Sequence, residues 1–109
     1  MSKPRRDIPS IPDGPLPPIP PGAVLLEEFM RPLGLSQNEL ARRLGIPPGR
    51  VNDLVHGRRA ITPDTAVRLA VYFGTSEGFW INLQAQHDAR IARRDLRPVI
   101  VKQVQPHAA

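Results

Sequence analysis

The stretch Ser36-Gln37-Asn38-Glu39-Leu40-Ala41-Arg42-Arg43-Leu44-Gly45-Ile46-Pro47-Pro48-Gly49-Arg50-Val51-Asn52-Asp53-Leu54-Val55-His56-Gly57 decides the fold. It opens on a capping box. The Ser36 hydroxyl can accept from the Glu39 amide, and the Glu39 carboxylate can reach back to the amide of Ser36. A helix then runs to about Leu44, with Leu40, Ala41 and Leu44 on its buried side. Gly45 suits the left-handed position just past a helix end. Ile46 falls in the turn, because Pro47 disfavours helical geometry at the residue before it, and Pro48 does the same to Pro47. Pro48 therefore fits the first position of a new helix. That helix points Val51, Leu54 and Val55 inward, carries Gly49, Arg50, Asn52, Asp53 and His56 on its other face, and ends at Gly57.

Working outward toward the N-terminus, eight of the 14 prolines fall in residues 4–21. Proline fixes φ and has no amide donor, so residues 1–21 are expected as an extended or disordered arm, polyproline-II-like where ordered. Ile8, Ile11, Leu16 and Ile19 are apolar enough for the arm to pack on the domain or on a partner. From Gly22, the residues Val24, Leu25, Leu26 and Phe29 form a helical stripe that Pro32 and Gly34 close. Toward the C-terminus, Thr62-Pro63-Asp64 combines a hydroxyl cap, a first-turn proline and a first-turn acid. The helix it opens carries Val67, Leu69, Ala70 and Phe73 and stops at Gly74. Ser76 caps a fifth helix with Phe79, Trp80 and Leu83, running to about Asp95 and ended by Pro98. Val99-Ile100-Val101 leaves room for a short strand. Phe29 and Phe73 are expected in the core. Trp80 also reads as core packing, against a competing reading as a partner-binding hot spot. The expected fold is all-α: five helices over residues 22–97, behind a Pro-rich extended N-terminal arm and ahead of a tail at 98–109.

Composition bounds the function. The chain has 109 residues and a formal net charge of +5, and 13 of its 15 basic residues are arginine. A basic excess favours polyanions, nucleic acid above all. With no cysteine there is no disulfide, thiolate zinc site or thiol chemistry. His56, His87 and His107 are scattered, so neither a metal site nor a cofactor is expected. Ser36, Thr62 and Ser76 are explained by capping, and no nucleophile–base pair stands at recognisable spacing, so the chain does not read as an enzyme. No apolar run approaches the roughly 18 residues of a membrane span. The lysine and arginines near the N-terminus precede no apolar segment, so the expected location is the cytoplasm, on the nucleoid when bound to DNA.

Two short helices joined by a tight glycine turn make the helix-turn-helix geometry. Its second helix enters the major groove with its N-terminal residues leading. Pro48, Gly49, Asn52 and Asp53 would then face base edges. Asn52 can pair with adenine and Asp53 can accept from cytosine, whereas Pro48 and Gly49 offer shape and close approach. Gln37, Arg42, Arg43, Arg50, His56, Arg58 and Arg59 lie at the margins, where phosphates would be met. Five of these are arginines, against only Glu39 and Asp53 among the acids of residues 36–59.

The run from Leu35 to Ile46 resembles the phage-repressor (XRE-type) helix-turn-helix. The following runs, His56-Gly57-Arg58-Arg59-Ala60-Ile61-Thr62-Pro63-Asp64-Thr65-Ala66, Arg68-Leu69-Ala70, Phe73-Gly74-Thr75-Ser76 and Phe79-Trp80-Ile81-Asn82-Leu83-Gln84, resemble HigA-type antitoxins. The resemblance covers about residues 20–90. It implies a five-helix repressor that forms a homodimer, binds a palindromic operator in its own promoter and binds a small RelE-like ribonuclease toxin of the HigB class. The Pro-rich arm is longer than the family usually carries, and Pro47 and Pro48 replace its polar residues at the start of the reading helix. Two other readings share the sequence: a stand-alone regulator without a toxin, and a protein-interaction module whose arm does the work.

Overall fold

The computed structural model describes residues 19–108, and all its regular elements are helical. The first helix, α1, is continuous but changes register: Pro21–Val24 is α-helical, Leu25–Met30 is π-helical and Arg31–Leu33 is α-helical again. The widened turn lies just ahead of Pro32, which has no N–H to return to the carbonyl four residues back. Then follow α2 (Gln37–Leu44), α3 (Pro48–Val55), α4 (Pro63–Phe73), α5 (Glu77–Asp95) and α6 (Arg97–Gln103).

The expected caps are in place. Ser36, Thr62 and Ser76 accept from Glu39 N, Thr65 N and Phe79 N respectively. Gly45 has φ 72° and closes α2. Its amide donates to Arg42 O, and the Ile46 amide reaches Ala41 O at 3.0 Å. This paired arrangement satisfies α2's last carbonyls and turns Ile46 into the core.

Leu25, Met30, Leu40, Leu44, Val51, Leu54, Leu69 and Trp80 are among the residues that fill the core, so all of α1 to α5 contribute. Trp80 is fully buried, and its indole N–H donates to Thr75 Oγ1 at 2.7 Å. The hydrogen bond satisfies the one polar atom that burial would otherwise strand. Phe29 stacks 4.8 Å from Trp80 and 5.0 Å from Phe73. Both phenylalanines are only partly buried and pack at the core margin.

Four expectations change. Helix α1 begins at Pro21, whose missing N–H costs nothing at a helix start, so the extended segment ends at Pro20. The rest of the expected arm, residues 1–18, lies outside the described residues. Val67, expected to face inward, is exposed. Val99-Ile100-Val101 is helix and not strand: Pro98 occupies the first turn of α6, where it starts a helix as readily as it ends one. The described residues thus hold six helices, and the domain boundary expected at 97/98 falls inside α6.

Gly22 explains how α1 seats on α3. A Cβ at Gly22 would lie 1.8 Å from the Leu54 carbonyl oxygen and 2.9 Å from the Val55 Cα. Both obstacles are backbone, so neither can swing aside. Gly22→Ala is expected to lower stability by about 3 kcal/mol in urea denaturation. Gly49→Ala meets nothing within 4 Å and is expected to leave stability unchanged or raise it by up to about 1 kcal/mol.

Candidate nucleic-acid interface

Helices α2 and α3 pack against each other and present one continuous polar face. Pro48 and Gly49 are exposed at the tip of α3. Pro47, in extended backbone, aims the helix start outward. Asn52 and Asp53 are half-buried one turn further along.

A polar chain ties this face together. Asn52 Nδ2 donates to Gln37 Oε1 at 2.9 Å, bridging α3 to the first turn of α2. Asn52 Oδ1 accepts from Arg58 Nη2 at 2.6 Å, and Asp53 Oδ1 accepts from Arg58 Nε at 3.1 Å. His56 Nδ1 lies 2.8 Å from Asn52 O at the end of α3. Arg59 is exposed beside Arg58. The structure therefore brings Gln37, Asn52, Asp53, His56 and Arg58 into one cluster. Asn52 stands there with its amide engaged at both ends, a different state from the open amide expected for pairing with adenine.

The other arginines divide. Arg42 and Arg43 both donate to the Glu39 carboxylate, Arg43 through Nε at 2.6 Å. Glu39 is thereby drawn from the expected reciprocal bond to the Ser36 amide, and only half the capping box forms. The hydrogen bond from Arg43 holds the Glu39 carboxyl below its ordinary value, with the charges of both arginines adding to it against desolvation. The charge of Arg50 helps to depress the Asp64 carboxyl of α4; the chief cause there is the hydrogen bond from Arg68.

Arg68 was not among the expected site residues. Its Nε donates to Asp64 at 2.7 Å, and its Nη1 donates to the Leu44 carbonyl at 3.0 Å. It places a cation at the C-terminal end of α2 and pins α4 behind the turn. Asp64 is a local i,i+4 partner, but the Leu44 carbonyl is 24 positions away, so no local pattern announces that second contact.

The Helix-turn-helix family model matches residues 26–80. The chain belongs to this helix-turn-helix family. Virulence-associated protein I of Dichelobacter nodosus is 42% identical over 83% of this chain and 85% of its own length. An addiction module antidote protein of the HigA family from Coxiella burnetii has 43% identity and a TM-score of 0.79, covering 84% of this chain and 100% of that one. The antitoxin HigA of Pseudomonas aeruginosa, solved with the higBA promoter, has 37% identity and a TM-score of 0.81, covering 84% and 99%. The structural neighbours of this chain thus include HigA-family antitoxins, and the all-α phage-repressor-like fold agrees with them. No helix among the described residues is long and apolar enough to cross a membrane.

The depressed carboxylates predict acid sensitivity. Glu39 and Asp64 have folded-state values below their ordinary 4.5 and 3.8. Their ion pairs therefore contribute stability above those values, and the contribution is lost as pH falls through the lower folded ones. The thermal midpoint is expected to fall on acidification below about pH 4.5. The fall should be shallower in Glu39→Gln, with the difference between the two proteins greatest at neutral pH.

Proposed function

We propose that this chain is a dimeric repressor of its own operon and the antitoxin of a type II toxin–antitoxin module. Helix α3 enters the major groove of double-stranded DNA, presenting Pro48, Gly49, Asn52 and Asp53 toward base edges. Gln37, Arg42, Arg43, Arg50, His56, Arg58 and Arg59 supply or support phosphate contacts at its margins. The observation that carries the reading is the exposed tip of α3, projecting beside an arginine-rich rim in a chain whose relatives include an antitoxin solved with its promoter. Proline and glycine at the tip offer no long donor, so part of the specificity rests on groove shape. The protein partner is a RelE-like ribonuclease toxin of the HigB class, and the site of action is the cytoplasm. The chain carries no catalytic role.

The dimer surface assigned by this reading is the second half of α5 with α6. Leu96, Val99, Ile100, Val101 and Val104 are all exposed there, an apolar concentration that a second copy would cover. The dimer sets two α3 helices about 34 Å apart, one turn of B-DNA.

A gel-shift titration at about 150 mM salt, where phosphate contacts alone are much weakened, tests the DNA role. The DNA upstream of the chain's own gene is expected to shift well below the concentration needed for random DNA. Equal affinity for both would overturn the repressor reading. Co-expression with the product of the adjacent gene is expected to yield a stable complex and to rescue growth. Operator binding without any such partner would favour the stand-alone regulator. Ile100→Glu is expected to convert the dimer to monomer in sedimentation and to weaken operator binding more than tenfold; an unchanged dimer would move the interface elsewhere.

A further inference from the structure

The polar chain across α2 and α3 divides labour among its members in a way the residue types alone do not announce. Asn52 could serve a DNA reader by pairing its amide with an adenine edge, which needs its carbonyl and its NH2 group together. Here each already carries one bond within the protein. The NH2 group donates to Gln37 at 2.9 Å and the carbonyl accepts from Arg58 at 2.6 Å. Asn52 is also half-buried, set back from the exposed Pro48 and Gly49. One N–H and one lone pair remain, but any base would have to meet them with the amide plane already fixed by Gln37 and Arg58.

Arg58 is held from two points. Its Nε meets Asp53 and its Nη2 meets Asn52, so the planar fork lies across one face of α3. A guanidinium has five N–H donors in fixed geometry. Two are used in these bonds, and the Nη1 group with one Nη2 hydrogen stays available on a side chain that is 56% exposed. Asp53 by itself would hold Arg58 at a single point and leave it free to swivel. Asn52 supplies the second point, and Gln37 fixes Asn52 in turn by holding its amide in one orientation.

From this geometry we infer that Asn52 is a positioning residue: locked between Gln37 and Arg58, it aims the Arg58 guanidinium at the DNA backbone and reads no base itself. The inference rests on the DNA-binding reading above and deepens it by changing the part of Asn52 from base reader to positioning residue. Sequence discrimination then falls to groove shape at Pro48 and Gly49 and to the remaining face of α3, while Arg58 delivers a phosphate contact with little ordering left to do on binding.

A double-mutant cycle on the full-length chain tests it, with operator DNA and a set of operators each altered at one base pair. Arg58→Ala is expected to weaken binding to every sequence and to lower the salt slope by about 0.9 per protomer. Asn52→Ala, which removes no charge, is expected to weaken all the operators by the same factor. The double variant should bind no worse than Arg58→Ala alone. Additive losses, or a loss of discrimination at one base pair in Asn52→Ala, would overturn the inference while leaving the DNA-binding reading intact. Failure of the unaltered protein to prefer operator would instead defeat that reading. Should Asn52→Ala not fold, Asn52→Ser, too short to reach Arg58, carries the same cycle with Arg58→Ala, with the same expected and overturning results.

Discussion

The turn at Gly45 and Ile46 is the constraint on which the rest depends. With Gly45 at φ 72°, the Ile46 amide folds back onto Ala41 and its side chain drops into the core. That single placement sets the angle at which α3 leaves α2. Three further contacts hold the angle. Arg68 caps the end of α2 from behind, Gln37 meets Asn52 in front, and Gly22 lets the α1 backbone press against Leu54 and Val55 from above. The last two would be lost if α3 rotated by one residue. The projecting tip is therefore a consequence of packing, set before any ligand arrives.

Charge works differently from the way the composition suggests. The basic excess is real, yet Arg42, Arg43, Arg58 and Arg68 all spend part of their hydrogen-bonding on carboxylates close by. Exposed pairs of this kind contribute little, because solvent screens them and ordering two long side chains costs entropy. So weak a bond orients the arginines without committing them. Glu39 holds Arg42 and Arg43 along α2, and Asp53 holds Arg58 beside the end of α3.

Much of the fold was legible because local rules decide helix ends. Ser36, Thr62, Ser76, Gly45 and Gly74 mark their boundaries through hydrogen bonds and φ values that involve neighbours only. The misses have a common physical root. Pro98 and Pro21 are equally compatible with ending one segment and starting a helix, and tertiary context chose the second. Val67 lies on the edge of an apolar stripe whose burial depends on a neighbour that does not reach it. The candidate residues could be named from the sequence, and the structure brings Gln37, Asn52, Asp53, His56 and Arg58 together. The hydrogen bonds among those residues were not, because Gln37 and Asn52 are 15 apart and Arg68 and Leu44 are 24 apart. Residue type says that an asparagine can meet a base; only geometry says that its amide is already occupied.

The central claim is that the α2–α3 unit, led by the tip of α3, is the surface that meets DNA. Titrating the labelled full-length chain with its upstream DNA and following backbone amide shifts by NMR tests this most directly. The account predicts the largest shifts at Gln37 and Asn38 and from Gly49 through Arg59, with α5 and α6 little changed near the core. Shifts centred on α5 and α6, with Gly49 to Arg59 unmoved, would contradict it.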